Sequence, residues 1–210
     1  MKKIFLTGIS SGIGRVVLDV ALAQGFRVHG VVRKPEQVDL FKEFSSTQLN
    51  ISVANLADTK QVNSLIETNA NEPFDYYVFN AGAALIGPFH ELPAEHIDEI
   101  FETNVLSIMR MVSAWLPQML QAPSKLVFIS SLAARLPNAR YAAYSASKAA
   151  LSKFANCLMC EYPQLPILCL EIGAINTPIH QKMKNPANVE KFKSAQVMGE
   201  KIFSAMQNQT

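Results

Sequence analysis

Charge is scarce in this chain. Only 17% of its 210 residues are Asp, Glu, Lys or Arg, the formal net charge is +2, and the basic residues form no dense block. A nucleic-acid or membrane-surface partner would need such a block, so neither is expected. Long apolar runs are missing as well, and none approaches the roughly 18 residues needed to cross a bilayer. The opening Met1-Lys2-Lys3-Ile4-Phe5-Leu6-Thr7-Gly8 runs straight into a strand and a glycine turn. It has neither the apolar h-region nor the cleavage site of a signal peptide. Cysteine is sparse: three residues, an odd number, which fits a reducing compartment. Cys157 and Cys160 form a C-x-x-C inside a helical stretch, not at a helix start after a strand, where a thiolate would be stabilised. Helix packing is therefore expected of them, not redox chemistry. These absences predict a soluble, cytoplasmic protein with no nucleic-acid or membrane partner and no metal.

Apolar residues, by contrast, make up 49% of the chain, enough to bury a full core in one domain over 1–210. β-rich apolar runs recur at Ile4–Leu6, Phe26–Val32, Leu49–Val53, Tyr76–Phe79, Leu126–Ile129 and Ile167–Glu171. Between them, helical spacing runs over Gly12–Gln24, Asp58–Asn69, Ala94–Leu120 and Ala142–Glu161, with a shorter segment after Pro35. Alternating helices and nearly continuous apolar strands predict an α/β fold: a doubly wound parallel sheet of six strands, covered on both faces. Ligands then belong beyond the C-terminal strand ends, where the strand order reverses.

Thr7-Gly8-Ile9-Ser10-Ser11-Gly12-Ile13-Gly14 stands between the first strand and the first helix. Glycines at 8 and 12 let the backbone N–H groups of this turn approach a pyrophosphate at the positive end of the helix. Gly14 lets the helix pack closely on the sheet. The spacing differs from G-x-G-x-x-G. At the end of the second strand, Val31-Val32-Arg33-Lys34 lacks the carboxylate that would bond a ribose 2′-hydroxyl. Arg33 offers a guanidinium to a 2′-phosphate instead, which predicts NADP(H).

Tyr144 and Lys148 lie four positions apart at the start of a long helix, hence on one face. An ammonium about 5 Å from a phenol, at an effective dielectric near 20, is worth roughly 3 kcal/mol, or about two pKa units towards the phenolate. Lys148 is thus expected to lower the Tyr144 pKa. Ser131 follows the fifth strand, so its hydroxyl reaches the same sheet edge and can donate to an oxygen that becomes negative. Asn80-Ala81-Gly82 ends the fourth strand at that edge. Asn104 lies within a helix, which Asn disfavours, and so signals a hydrogen-bonding task.

With these residues in order, the chain resembles the short-chain dehydrogenase/reductase family in its single-domain branch. The resemblance rests on Thr7-Gly8-x-x-x-Gly12-x-Gly14, Asn80-Ala81-Gly82, Asn104, Ser131, Tyr144-x-x-x-Lys148 and Ile172-Gly173-x-Ile175-x-Thr177. It implies a Rossmann domain that transfers a hydride between nicotinamide and a carbonyl or alcohol carbon. Tyr144 would protonate the oxygen, Ser131 polarise it, Lys148 hold the nicotinamide ribose, and Asn104 keep a water in the proton relay. Gly8, Ser10, Ser11, Gly12, Ile13, Gly14, Arg33, Asn55, Leu56, Asn80, Ala81, Gly82, Tyr144, Lys148, Gly173, Ile175 and Thr177 would line the cofactor, Thr177 at the carboxamide. Three positions depart from the family pattern: Ile172 stands for proline, Ala134 for glycine, and Asn55 for the aspartate that faces adenine. An amide oxygen can still accept from the adenine amino group.

A substrate loop is expected over about 178–195. The pocket walls Ala83, Ala84, Leu85, Leu136, Tyr141, Ile179 and Met183 suggest a neutral ketone or aldehyde. After the last predicted helix no seventh strand of the family's pattern is expected within 1–210, nor the interface that the resemblance would place on it. The family's other interface predicts a homodimer through the outer face of the Ala142–Glu161 helix and the Ala94–Leu120 helix. Two other readings use the same fold: a non-catalytic NADP(H) sensor or scaffold, and a sugar-nucleotide epimerase. The intact Ser131, Tyr144 and Lys148 oppose the first. The three-residue gap between Gly8 and Gly12, with no C-terminal substrate domain, opposes the second.

Overall fold

A computed structural model describes residues 1–176 and 193–208. Strands β1 (Lys3–Thr7), β2 (Arg27–Val32), β3 (Leu49–Val53), β4 (Tyr76–Phe79), β5 (Lys125–Ser131) and β6 (Ile167–Ile172) form one sheet in the order β3-β2-β1-β4-β5-β6. All neighbouring pairs are parallel. The helices are α1 (Gly12–Ala23), α2 (Thr59–Thr68), α3 (Ala94–Phe101), α4 (Ser107–Gln121), α5 (Ala142–Glu161) and α6 (Ala195–Gln207). Pro35–Phe41 is a 3₁₀ turn. The short strands β7 (Ile175–Asn176) and β8 (Lys193–Ser194) pair outside the main sheet. The predicted doubly wound fold and its six strands are thus observed. Of the expected substrate loop, residues 178–192 lie outside the described residues.

Strand alternation builds two cores, since successive side chains face opposite sides of a sheet. Ile4, Leu6, Val78, Val127 and Ile129 pack with Val17 and Leu18 of α1 and with Ile202, Phe203 and Met206 of α6. Phe5, Tyr77, Phe79, Leu126 and Phe128 pack with Val62 of α2, Met111 and Trp115 of α4, and Leu151 and Ala155 of α5. Asp58 and Ser194 cap α2 and α6 by accepting from first-turn N–H groups, each worth about 1 kcal/mol. The buried Lys125 donates to the carbonyls of Met206 and Asn208 and so fastens the end of α6. The single helix expected over Ala94–Leu120 is interrupted by a π turn at Glu102–Leu106, between α3 and α4.

Candidate functional site

The strand order reverses between β1 and β4, which opens a crevice at their C-terminal ends. The turn after β1 is shaped by contacts that only glycine permits. Gly8 sits at φ +75, in the left-handed region where a side chain is strained. A Cβ on Gly14 would lie 2.1 Å from the Gly8 carbonyl oxygen, so α1 starts directly against the turn. Thr7 Oγ1 accepts from the N–H groups of Asn80 and Ala81, and Asn80 Nδ2 donates to the carbonyls of Thr7 and Gly8. Asn80 therefore braces the turn against β4. Ser11, the N-cap of α1, makes no side-chain hydrogen bond to the first turn. The helix start is left as an uncapped set of N–H donors at a positive dipole end, a cradle that fits a dinucleotide pyrophosphate. Ser10 is half-buried and Ser11 exposed in this cradle. Ile13 faces the core, so only its backbone is on offer.

Ser131, Tyr144 and Lys148 meet at the same sheet edge. Ser131 ends β5, where its Oγ accepts from the Ala133 N–H at 3.1 Å, leaving its own proton free to donate. Burial raises the Tyr144 pKa, and a hydrogen bond from Ser131 opposes that rise. Lys148 is 4% exposed, and its Nζ donates to the Ile129 carbonyl at 2.9 Å. Burial lowers its own pKa from 10.5 to about 8. The ammonium stands 5.9 Å from the centre of the Tyr144 ring. The expected lowering of the Tyr144 pKa by Lys148 is not found: desolvation of the phenol is the largest influence and raises it, and the hydrogen bond that opposes the rise comes from Ser131.

Asn104 is fully buried in the π turn, a local geometry frequent at functional sites. Its Oδ1 accepts from Ala83 N at 2.7 Å, and its Nδ2 donates to Ala83 O and Ser147 Oγ, both at 2.9 Å. Both amide hydrogens are committed, so the side chain ties the loop after β4 to α5. Its expected service as a water holder is confined to the oxygen's remaining lone pair. Gly82 lies beside this pair: a Cβ there would be 3.4 Å from Asn104 Oδ1 and 3.7 Å from Lys148 Nζ.

The other expected residues divide between side-chain and backbone roles. Asn55 is half-buried, and its Oδ1 accepts from Ala57 N at 3.2 Å, with one lone pair left. Leu56 and Ile175 bury their side chains in the two cores and so present backbone only. Ala81 is also packed against the core, and Gly173 lies against Leu132. Ile172 extends the ladder, opposite Ser131, where a proline would lack the N–H. Ala83, Ala84, Leu85 and Tyr141 are half-buried, and Leu136 is exposed. Thr177, Ile179 and Met183 lie outside the described residues. Arg33 pairs with Glu99 of α3, Nη1 to Oε1, at 2.9 Å.

Sequence reasoning missed three residues here: the Asn104 partner Ser147, Glu99, and Gln37, whose Oε1 accepts from the N–H groups of Arg33 and Lys34; Thr7 belonged to the motif, but not its part as a brace. A buried helical Asn needs a partner, and Ser147 lies within the Tyr144-to-Lys148 turn, so that one was discoverable. Nothing local signals Glu99, which meets Arg33 only through the sheet order.

Comparisons with known proteins agree with this geometry. The sequence profile of the family described as short chain dehydrogenase matches residues 2–188. The chain is 29% identical to the NADPH-dependent 1-acyldihydroxyacetone phosphate reductase of Schizosaccharomyces pombe over 184 residues, 86% of this chain and 62% of that protein. It is 29% identical to the NADPH-dependent 3-dehydrocapnine reductase of Ornithobacterium rhinotracheale, covering 90% of this chain and 70% of the relative. A short-chain dehydrogenase structure from Streptomyces avermitilis superposes with a TM-score of 0.85 at 28% identity, covering 100% of this chain and 85% of the other. This chain thus spans under two thirds of the length of the first of these relatives. The chain belongs to the short-chain dehydrogenase family of oxidoreductases.

Proposed function

We propose that the protein is an NADP(H)-dependent oxidoreductase acting on the carbonyl or alcohol carbon of a small, mostly apolar substrate, with 1–210 serving as one cofactor-binding domain. The observation that carries this reading is the convergence of Ser131, Tyr144 and Lys148 at the mouth of the glycine cradle. The nicotinamide supplies or accepts the hydride when bound. Tyr144, kept protonated by burial, donates its phenolic proton to the carbonyl oxygen in the reductive direction. Ser131 donates a hydrogen bond to that oxygen as its negative charge grows. Lys148, with one of its three donors on Ile129, has two for ribose hydroxyls. NADP(H) is favoured by Arg33 and by the lack of a carboxylate at the end of β2; two relatives named as NADPH-dependent support it. The test is a panel of ketones and aldehydes, with oxidation of NADPH and NADH followed by absorbance. The expected result is a higher kcat/KM with NADPH, reversed or erased in Arg33→Ala; a preference for NADH would overturn the cofactor assignment.

A cytoplasmic homodimer completes the reading. No helix among the described residues is long and apolar enough to cross a membrane. The outer face of α5 exposes Ala146, Lys153, Cys157 and Cys160, while α4 exposes Met109 and Leu120. Small and apolar residues in water favour the close approach of a second copy. Light scattering is expected to give twice the chain mass of 23.2 kDa, with Ala150→Glu shifting it to the monomer. A dimer indifferent to that change would place the interface elsewhere.

A further inference from the structure

We propose that Glu99 sets the strength of the preference for a phosphorylated dinucleotide, by holding Arg33 in an ion pair that the 2′-phosphate must displace. The proposal rests on the assignment of Arg33 to that phosphate. Arg33 follows β2, whereas Glu99 lies on α3, which follows β4, and β1 stands between those strands. Their 2.9 Å contact therefore passes over the end of β1, above the crevice where a dinucleotide lies.

The two partners are not equally free. Gln37 Oε1 accepts from the backbone N–H of Arg33 at 3.0 Å, which fixes where the arginine side chain begins. That side chain is 51% exposed, against 29% for Glu99. The guanidinium is the group able to turn towards a ligand, while the carboxylate stays. Arg33 is also the only cation paired with Glu99 among the described residues. A phosphate monoester carries about 1.5 to 2 negative charges at neutral pH, outweighing one carboxylate for the fork of the guanidinium. When it takes Arg33, it arrives beside a carboxylate that has lost its counterion. NADP(H) meets both the competition and the repulsion; NAD(H), with a hydroxyl in place of the phosphate, meets neither. Pre-orientation of Arg33 by Glu99 acts the other way, but Gln37 already fixes where the arginine side chain begins, and the geometry Glu99 holds is the one the guanidinium must leave to meet the phosphate.

Calorimetric titration of the full chain with NADPH and with NADH tests this without relying on turnover. Glu99→Gln keeps the shape and an acceptor oxygen for Arg33 while removing the charge. The expected result is NADPH binding about threefold to tenfold tighter, shrinking as salt is raised, with NADH changed by less than about twofold. In an Arg33→Ala background, where binding of NADPH is already weakened, the gain from Glu99→Gln should shrink, since no ion pair is left to displace and only the repulsion remains; a gain as large as in wild type would show that Glu99 does not act through Arg33, and the proposal falls. If Arg33→Ala weakens NADPH but Glu99→Gln leaves it unchanged or weaker, Glu99 merely orients Arg33; the proposal falls and the cofactor assignment stands. If Arg33→Ala leaves NADPH binding intact, the assignment itself falls and the proposal with it.

Discussion

Asn104 Nδ2 donates to Ser147 Oγ at 2.9 Å, and Ser147 Oγ in turn donates to the Tyr144 carbonyl at 2.7 Å. The π turn and the start of α5 are thereby joined through buried polar groups. Asn104→Ala would strip Ala83 of partners for both its N–H and its carbonyl. A fully buried unsatisfied group costs about 1–3 kcal/mol, and Ala83 is half-buried, so the variant should lose about 1–2 kcal/mol and roughly 2–8 °C in Tm. Urea unfolding measures this, and an unchanged midpoint would show that solvent replaces the lost partners freely.

The burial of Lys148 makes a prediction about pH. Below about 8 the lysine is charged in both folded and unfolded chains, and burying the ammonium counts fully against the fold. From about 8 to its ordinary value of 10.5, the folded lysine releases a proton that the unfolded one keeps. The unfolded state then binds more protons, so stability rises with pH, by about 3 kcal/mol in all from this residue. Lys148→Met should remove that rise from the cofactor-free protein. Parallel stability profiles for the variant and wild type across this window would remove the buried charge from the account.

Arg140 adopts φ +72, the only positive φ at a non-glycine residue among those described. Its carbonyl accepts from Gly87 N at 3.0 Å, linking the two loops that flank the candidate substrate pocket. Left-handed backbone costs an ordinary residue about 1–2 kcal/mol, part of which glycine returns as unfolded-state entropy. Arg140→Gly should therefore gain about 0.5–1 kcal/mol in chemical denaturation. A loss of stability would mean that the guanidinium makes a contribution greater than the strain.

The fold was legible because its signals are local and repeated: apolar runs at strand length, helical spacing between them, and a glycine turn after β1. Every strand predicted from those runs is present within a few residues of its expected bounds. Tyr144 and Lys148 were legible as a pair because helix geometry alone brings four-residue neighbours together. The pKa relation between them was not. It depends on how far each group is withdrawn from water, and on Ile129 as a partner for Lys148, neither of which spacing encodes. The π turn at Glu102–Leu106 was hidden for a related reason, since it exists to place Asn104 against Ala83, a contact made across the fold. The Arg33–Glu99 pair is the extreme case, a consequence of strand order alone.

The central claim is that Tyr144 supplies the proton, and Tyr144→Phe tests it most directly because it removes one oxygen and leaves the ring. With a carbonyl substrate found in the panel, NADPH consumption by the variant should fall by about 10²-fold to 10⁴-fold in kcat. Its calorimetric affinity for NADPH should stay within about threefold of wild type, since the cradle at Gly8–Gly14 and Arg33 are untouched. A variant that retains wild-type kcat, with the cofactor bound as before, would contradict the account and assign the proton to another group.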